Sequence, residues 1–136
     1  MAEALQLRIV TPRRPVLDET VLEVTAPGTA GEFGVLPEHA NFLTSLEIGI
    51  LSYRDQRAVR RLAVRGGFAE VSDNVMTVLA DAAERPEEVD RAKAEADLRA
   101  AAAKLATLAP IDAEYPAIDG ERRWAEARLE LARKAG

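Results

Sequence analysis

The chain has 136 residues, which suits a single domain or one domain with an appended segment. Its formal net charge of −5 argues against a nucleic-acid-binding surface, and its aromatic content of 4% predicts an aliphatic core. It has no cysteine and one histidine, so disulfides and cysteine nucleophiles are excluded and a zinc site is not expected. The sequence contains no stretch of about 18 apolar residues that could span a membrane, and its N-terminus lacks the pattern of a signal peptide.

Short strands are predicted through residues 4–80. Leu5, Leu7 and Ile9 alternate with more polar neighbours, which is the period-2 pattern of a half-buried strand. Residues 16–17 indicate a short second piece, and further apolar runs follow with proline, glycine or Asp-Asn turns between them. Strands that recur roughly every 8–12 residues are typical of an antiparallel sandwich or barrel.

The glycine-rich stretch at residues 28–40 is predicted to be a rigid surface loop. It holds three glycines, Pro37 and the chain's only histidine, His39. The glycines lack the spacing of a phosphate-binding loop, so no phosphate site is expected there. Glu32, Glu38 and His39 are residue types used in acid–base chemistry, but no nucleophile or metal-ligand set accompanies them. We interpret the stretch as a docking surface or a plain strand connection.

The pair Gly66-Gly67 interrupts the strand pattern in the second half of this region. Glycine within a strand marks a bulge or a bend, and a bend is the simpler interpretation. The following run at residues 72–74 is Ser-Asp-Asn, which predicts a turn between two strands.

The composition changes after Pro86, which divides the chain into a β-rich part, residues 1–86, and a helical part, residues 87–136. Residues 92–109 contain nine alanines, and alanine is the best helix former. Residues 89–136 carry nine acids and nine bases, so the whole excess of acids lies in the β-rich part. This split suggests that the two parts have different roles.

Two helices joined by a loop are predicted in the helical part. The first runs from Pro86 or Asp90 to Pro110, and the second begins at Asp119 or Gly120. The second helix is then about 15 residues, or about 22 Å, long. Acids just before the first helix are interpreted as favourable charges at its N-terminus rather than as metal ligands.

Arg128 lies within the apolar face predicted for the second helix. It is expected to extend outward to water, or to pair with an acid on the other helix or on a partner. Trp124 beside it is a candidate exposed aromatic residue, and Trp and Arg are enriched at interaction hot spots. The residues predicted to form this apolar face are Trp124, Ala125, Leu129, Leu131, Ala132 and Ala135.

Several motifs in the β-rich part agree in order and spacing with one known family. The longest is Gly-Glu-Phe-Gly-Val-Leu-Pro-Glu-His-Ala at residues 31–40. The others lie at residues 43–46, 49–51, 65–71, 74–81, 83–84 and 89–90. Together they closely resemble the epsilon subunit of bacterial F-type ATP synthase, most strongly over residues 5–90.

The resemblance implies an N-terminal antiparallel β-sandwich over residues 1–86 and a regulatory two-helix antiparallel hairpin over residues 87–136. It implies a non-catalytic central-stalk subunit that binds gamma, rests on the c-subunit ring, and couples proton translocation to ATP synthesis. By matching position, Glu32, Phe33 and His39 are the expected ring contacts. The implied location is peripheral, on the cytoplasmic side of the inner (plasma) membrane, without direct membrane insertion.

In this family the helical hairpin can fold against the sandwich, or extend along gamma into the alpha/beta catalytic hexamer and block ATP hydrolysis. The resemblance therefore implies an inhibitory tail here, with Trp124 and Arg128 as candidate contacts to gamma or the hexamer. Pro110 and Pro116 prevent one continuous helix through residues 108–120, so inhibition by extension is a weaker inference than stalk binding. The alternative is a purely structural tail without inhibition or ATP binding.

Some relatives bind ATP on the folded hairpin through an Ile/Leu-Asp-x-x-Arg-Ala motif. The corresponding residues here are Asp90 and Lys93, with Arg128 on the second helix. Lys93 and Ala100 stand where arginines are expected, and lysine cannot reproduce the bidentate fork of arginine. We therefore expect no cofactor and weak or absent ATP binding.

Two other classes of function are alternatives to the stalk subunit. One is a free-standing β-sandwich that binds a small ligand under a helical lid, and co-purification with gamma would discriminate against it. The other is a tail-regulated enzyme, which the missing nucleophile and base geometry disfavours.

Overall fold

The computed structural model of the chain describes residues 3–135. Within this range, ten strands form two five-stranded sheets packed face to face, and two helices follow. The strands are β1 Leu5–Val10, β2 Pro15–Val21, β3 Glu23–Gly28, β4 Gly31–Val35, β5 Phe42–Ser45, β6 Ile48–Arg54, β7 Val59–Arg65, β8 Phe68–Ser72, β9 Val75–Leu79 and β10 Ala83–Glu84. A 3-10 turn, Pro86–Glu88, leads to the helices α1 Arg91–Leu105 and α2 Tyr115–Ala135.

The two sheets have different strand orders. The first sheet is ordered β2-β1-β9-β8-β5 and the second β10-β7-β6-β3-β4. The predicted β-sandwich is confirmed, but β1 and β9 pair in parallel, which departs from the predicted antiparallel arrangement. These two strands are far apart in the sequence, so no hairpin fixes their relative direction.

An aliphatic core fills the space between the sheets. Leu5, Leu7 and Ile9 of β1 are buried, whereas Arg8 between them is exposed, as the period-2 pattern predicts. Each fully buried side chain of this size contributes about 1.5–3 kcal/mol to stability. The second predicted strand was too short, because β2 continues to Val21 with exposed polar residues along the sheet edge.

The stretch predicted as a loop at residues 28–40 contains strand β4, so that prediction was wrong in part. Gly28 pairs with Gly31 across a two-residue turn, and β4 then continues antiparallel to β3. A Cβ at Gly28 would lie 2.8 Å from the Gly31 carbonyl oxygen and 2.9 Å from the Phe33 ring. These glycines therefore permit a tight hairpin, and the irregular connection is confined to residues 36–41.

The bend predicted at Gly66-Gly67 is confirmed. It carries the chain from β7 in the second sheet to β8 in the first. Both glycines have positive φ, and a Cβ at Gly67 would lie only 1.9 Å from the Leu79 carbonyl oxygen. The close approach of two backbones at the crossing excludes any larger residue at this position.

Helix α1 begins directly after Asp90, which was one of its two predicted start positions, and not at Pro86. The Asp90 side chain accepts a hydrogen bond from the Lys93 amide at 3.0 Å and caps the helix. The helix ends at Leu105, earlier than the predicted end at Pro110. The amides of residues 107–108 donate to carbonyls three residues earlier, which tightens the chain into a turn.

Helix α2 begins at Tyr115, so the predicted start at Asp119 or Gly120 was wrong. Pro116 suggested a break, but a proline in the first turn of a helix loses no intrahelical hydrogen bond and has a suitable φ. The helix has 21 residues and is about 31 Å long at 1.5 Å per residue, rather than about 22 Å.

Helix α2 lies on the outer face of the second sheet, and α1 packs mainly on α2. Trp124 and Leu131 are buried in a small cluster with Ala63 of β7, against which Ile48 and Ile50 of β6 pack. Trp124 is 7% exposed, so the prediction of an exposed aromatic residue was wrong. The face that would be open on an isolated helix is covered by the sheet. The side chain of Ala135, predicted on this face, lies outside the residues whose side chains the structure describes.

Candidate functional site

The predicted ring-contact residues lie on β4 and in the connection at residues 36–41. Glu32 is exposed, whereas Phe33 and His39 are half-buried. Phe33 and His39 both contact Phe42 of β5, with ring centroids 5.3 Å and 5.1 Å apart, respectively. Glu32 precedes Phe33 on the strand, so the pleat directs its side chain away from this aromatic cluster.

Hydrogen bonds hold the connection at residues 36–41 in place. Glu38 has a positive φ of 64°, and its amide donates to the Asn74 side chain at 2.7 Å. Asn74 in turn donates to the Ala4 carbonyl at 2.8 Å. The Nδ1 atom of His39 lies 2.7 Å from the Ala40 carbonyl oxygen, a contact in which this nitrogen is the donor. His39 is thus engaged in holding its own loop.

A row of three apolar side chains, two exposed and one half-buried, lies on the outer face of the first sheet. Phe68 of β8 and Leu79 of β9 are directly opposite one another, and Val10 of β1 is opposite Leu79. Phe68 is 56% and Leu79 54% exposed. We call these three residues the outer-face row, and they line a shallow cavity of about 380 Å³. Leu43 of the edge strand β5 is also exposed.

The outer-face row was not among the sites predicted from the sequence. A signal was available, because Phe68 is out of phase with the buried Ala69 and Val71 on β8. A large aromatic residue on the face opposite the core is a candidate for partner contact.

Arg128 pairs with an acid on the other helix, which was one of the predicted alternatives. Its side chain is 8% exposed, and its Nη2 atom lies 3.0 Å from the Oδ2 atom of Asp97 on α1. Its guanidinium carbon lies 5.5 Å from the centroid of the Trp124 ring, a cation–π arrangement. The hydrogen bonds from Arg128 and then from Lys93 lower the pKa of Asp97. Arg128 and Trp124 were predicted from the sequence, but Asp97 was not, because the alignment of the two helices sets this partner.

The residues considered for nucleotide binding are already paired with groups of this chain. Asp90 caps α1, and Lys93 and Arg128 both contact Asp97, at 3.2 and 3.0 Å, respectively. A cavity of about 310 Å³ lies beside this cluster. Its lining is Arg65, Asp97, Ala100, Glu121, Trp124 and Arg128. Two acids balance two bases, so the cavity lacks the excess positive charge that a triphosphate requires.

The described residues, 3–135, contain neither a cluster of metal ligands nor a membrane-spanning helix. No group of three or more histidine, aspartate or glutamate side chains there is arranged to hold a metal ion. No helix in the same range is both long and apolar enough to cross a membrane.

Comparison with known proteins identifies the family. A family model described as the β-sandwich domain of the ATP synthase delta/epsilon chain matches residues 4–86. The ATP synthase epsilon chain of Geobacter sulfurreducens is 44% identical over 135 residues, covering 99% of this chain and 98% of the relative. The chain belongs to the ATP synthase epsilon-chain family. The epsilon chain of Trichlorobacter lovleyi is similar to the same extent, with 45% identity over 135 residues, 99% of this chain and 98% of the relative.

Solved structures show the same architecture as this epsilon-family chain. A chain of the Euglena gracilis mitochondrial ATP synthase, solved as OSCP/F1/c-ring in rotational state 1, matches with a TM-score of 0.81 and 27% identity. That match covers 98% of this chain and 83% of the other. A chain of the Tetrahymena thermophila mitochondrial ATP synthase central stalk and c-ring matches with a TM-score of 0.58 and 16% identity, which shows the fold alone; it covers 96% of this chain and 94% of the other. The sequence resemblance is confirmed, and it extends through the helices.

Proposed function

We propose that this epsilon-family chain is a non-catalytic subunit of the central stalk of an F-type ATP synthase. In this role it couples proton translocation through the c ring to ATP synthesis through gamma. The observation that carries the proposal is the match to epsilon chains over 99% of the sequence. The engagement of His39 with the Ala40 carbonyl and the Phe42 ring suits a structural role better than general-base catalysis.

Gamma is proposed to bind the outer-face row. Helix α2 covers the outer face of the second sheet, so the first sheet offers the broad open face of the sandwich. Phe68 and Leu79 are more than half exposed, although burying such side chains in a partner interface is favourable. An apolar centre containing an aromatic residue is typical of the buried core of a protein interface.

The c ring is proposed to contact the sandwich at Glu32, Phe33 and His39. Glu32 is exposed and free to meet a charged partner, while Phe33 and His39 form a firm base through Phe42. This contact would hold the chain peripherally on the cytoplasmic side of the membrane. No segment of the chain is required to enter the membrane for such docking.

The two contacts are tested by pull-down of the variant chains with gamma and with the c ring. Phe68→Asp should lose gamma, whereas Val59→Asp, at an exposed position on the second sheet, should retain it. Glu32→Lys should weaken ring docking through slower association, whereas Glu95→Lys on α1 should not. If Phe68→Asp and Val59→Asp retain gamma equally, the proposed gamma surface is wrong. If the wild-type chain binds neither gamma nor the c ring, the proposed stalk function itself is contradicted.

We infer that the folded hairpin binds ATP weakly or not at all. Support comes from the balanced charge of the cavity at Arg128 and from the engagement of Lys93 and Arg128 by Asp97. Equilibrium dialysis of the full chain with labelled ATP tests this inference. Micromolar affinity would contradict it.

A further inference from the structure

The second sheet ends at an edge that is only partly covered. Strand β10 has two residues and pairs only with Ala63 and Val64 of β7. Strand β7 begins at Val59, so residues 59–62 have a neighbouring strand, β6, on one side only. At about 3.3 Å per residue, this uncovered edge is about 13 Å long.

Two hydrogen bonds show which backbone groups point outward at this edge. The Arg65 amide donates to the Ala82 carbonyl at 2.8 Å, on the side of β10, and alternate residues along a strand point the same way. The amide and carbonyl groups of Arg61 and Val59 therefore also point away from β6. Independently, the Leu22 amide donates to the Arg54 carbonyl, so Arg54 faces β3 and its partner Val59 faces the open edge. Such groups are a template for an added strand.

The uncovered edge borders a cleft of about 340 Å³ between the 3-10 turn and the end of α2. Its charged lining is positive although the chain as a whole is negative. The charged residues that line it are Arg60, Arg61, Arg85, Lys134 and Glu87. The buried side chains of Leu62 and Leu131 lie beneath it.

Not all of these cations are neutralised within the chain. Arg60 pairs with Asp55 at 2.6 Å and Lys134 with Glu130 at 3.1 Å. The Arg85 side chain donates to the Val16 carbonyl at 2.6 Å, which leaves its charge without a carboxylate there. Arg61 has no ion-pair partner within residues 3–135. The cleft therefore combines open strand groups with unneutralised positive charge.

We propose that residues 59–62 of β7 form a docking site for an extended acidic segment of a partner protein. The segment adds to the second sheet as a strand, and its backbone bonds to Val59 and Arg61. Its carboxylates on alternating positions all lie on one face of the added strand, where they contact Arg61 and Lys134. This site is separate from the outer-face row and from the ring contact, so it does not depend on either.

The test uses the full chain and a fluorescein-labelled peptide of alternating glutamate and valine, six residues long. Fluorescence anisotropy should detect its binding, with affinity that falls as salt is raised. A peptide with lysine in place of glutamate should not bind. Two further peptides are N-methylated at alternate residues, one at the odd and one at the even positions. The peptide whose methyl groups block the bonds to β7 should bind at least about fivefold more weakly than the other, because strand hydrogen bonds are lost.

Variants of the chain separate backbone docking from charge. Val59→Pro removes an edge amide without changing charge, and proline is tolerated at the first residue of a strand, so it should reduce binding while Val59→Thr does not. Arg61→Gln should weaken binding about two- to fivefold. Hydrogen exchange of the wild-type chain should show the Val59 and Arg61 amides protected by the peptide.

Three results would overturn the proposal. The first is equal binding by the Val59→Pro and Val59→Thr chains, and the second is unchanged exchange at Val59 and Arg61 with peptide bound. The third is displacement of the labelled peptide by inorganic phosphate as effectively as by unlabelled acidic peptide at the same total charge. That result would indicate a simple anion site. If Val59→Pro fails to fold, the N-methylated peptides and the exchange measurement still decide.

Discussion

Single residues constrain this fold most where two backbones meet. Gly67 and Gly31 both have positive φ, but their surroundings differ. A Cβ at Gly67 would overlap the Leu79 carbonyl, whereas a Cβ at Gly31 has nothing within 4 Å. The same residue type therefore serves two purposes, one steric and one conformational.

Gly67→Ala should destabilise the chain more than Gly31→Ala. Both variants incur the conformational cost of a positive φ, about 1–3 kcal/mol. Gly67→Ala adds the overlap with Leu79, so its loss should be larger by at least about 1 kcal/mol. Urea denaturation of both variants measures the difference, and equal losses would contradict the steric explanation.

Tyr53 should make stability depend on alkaline pH. Burial, with the hydrogen bond to Glu19, raises the pKa of Tyr53 from 10.0 to about 12. Because the folded-state pKa is the higher one, the contribution is complete below pH 10 and is lost as pH rises through about 12. The free energy of unfolding should therefore fall over this interval, and less steeply in Tyr53→Phe. Below pH 10, where Tyr53 stays protonated in the folded and the unfolded chain, the wild-type chain and Tyr53→Phe should show the same pH dependence.

At the scale of elements, the helical hairpin is held by alanine packing between its helices and by a few larger side chains that contact the sheet. Small alanines let α1 and α2 approach, with Ala94 and Ala101 buried on α1. Larger groups then anchor α2 to the sheet, including Trp124 and the pair between Arg123 and Glu47 at 2.6 Å. The nearly buried Arg128 pairs with Asp97 and so joins the two helices.

Asp97→Asn should loosen the hairpin. Removing the carboxylate leaves the nearly buried Arg128 without its charged partner, at a cost of about 1 kcal/mol after allowance for the exposure of Asp97. The control Glu114→Gln removes an exposed pair with Lys104, at 3.4 Å, and should change stability by less than about 0.5 kcal/mol. Thermal denaturation of both variants measures these effects.

Acid should have the same effect as Asp97→Asn in the wild-type chain. The pKa of Asp97 is lowered in the folded state, so its contribution is present above its ordinary value of 3.8 and is lost as pH falls further. The variant should lack this part of the acid dependence. An identical acid profile for wild type and variant would contradict a stabilising role for the pair.

At the scale of the whole molecule, one face of the sandwich is covered and one is open. Helix α2 covers the outer face of the second sheet, whereas Phe68 and Leu79 are exposed on the first sheet. If gamma binds the first sheet as proposed, the helical part acts separately from stalk binding. We propose that it inhibits ATP hydrolysis by extending along gamma, with a structural tail as the alternative.

Deletion of residues 91–136 should raise ATP hydrolysis by the assembled enzyme and leave gamma binding intact. The deletion also uncovers Ile48 and Ile50, so the truncated sandwich should be less stable than the full chain. Hydrolysis assays on reconstituted enzyme, with gamma co-purification as the control for assembly, test the prediction. Unchanged hydrolysis with gamma retained would favour the structural tail.

Much of the fold was predictable because local patterns and tertiary packing agreed. Alternating apolar residues in β1 and the bend at Gly66-Gly67 each have a local physical cause, and each was predicted correctly. The cap at Asp90 was one of two predicted helix starts. The prediction at residues 28–40 was wrong in part because glycines that permit a hairpin look like those of a loop. The start of α2 was wrong because Pro116 has opposite meanings at the first turn and in the interior of a helix.

The sequence by itself determined the β-sandwich, the change to helices near residue 86 and the motifs that identify the family. These follow from residue periodicity, backbone preferences and motif order, which are properties of neighbours along the chain. Only the tertiary structure decided the parallel pairing of β1 and β9, the burial of Trp124 and the choice of Asp97 as the partner of Arg128. It also decided which strand edge stays open. Each of these depends on residues brought together from distant parts of the chain, whose relative positions no local pattern records.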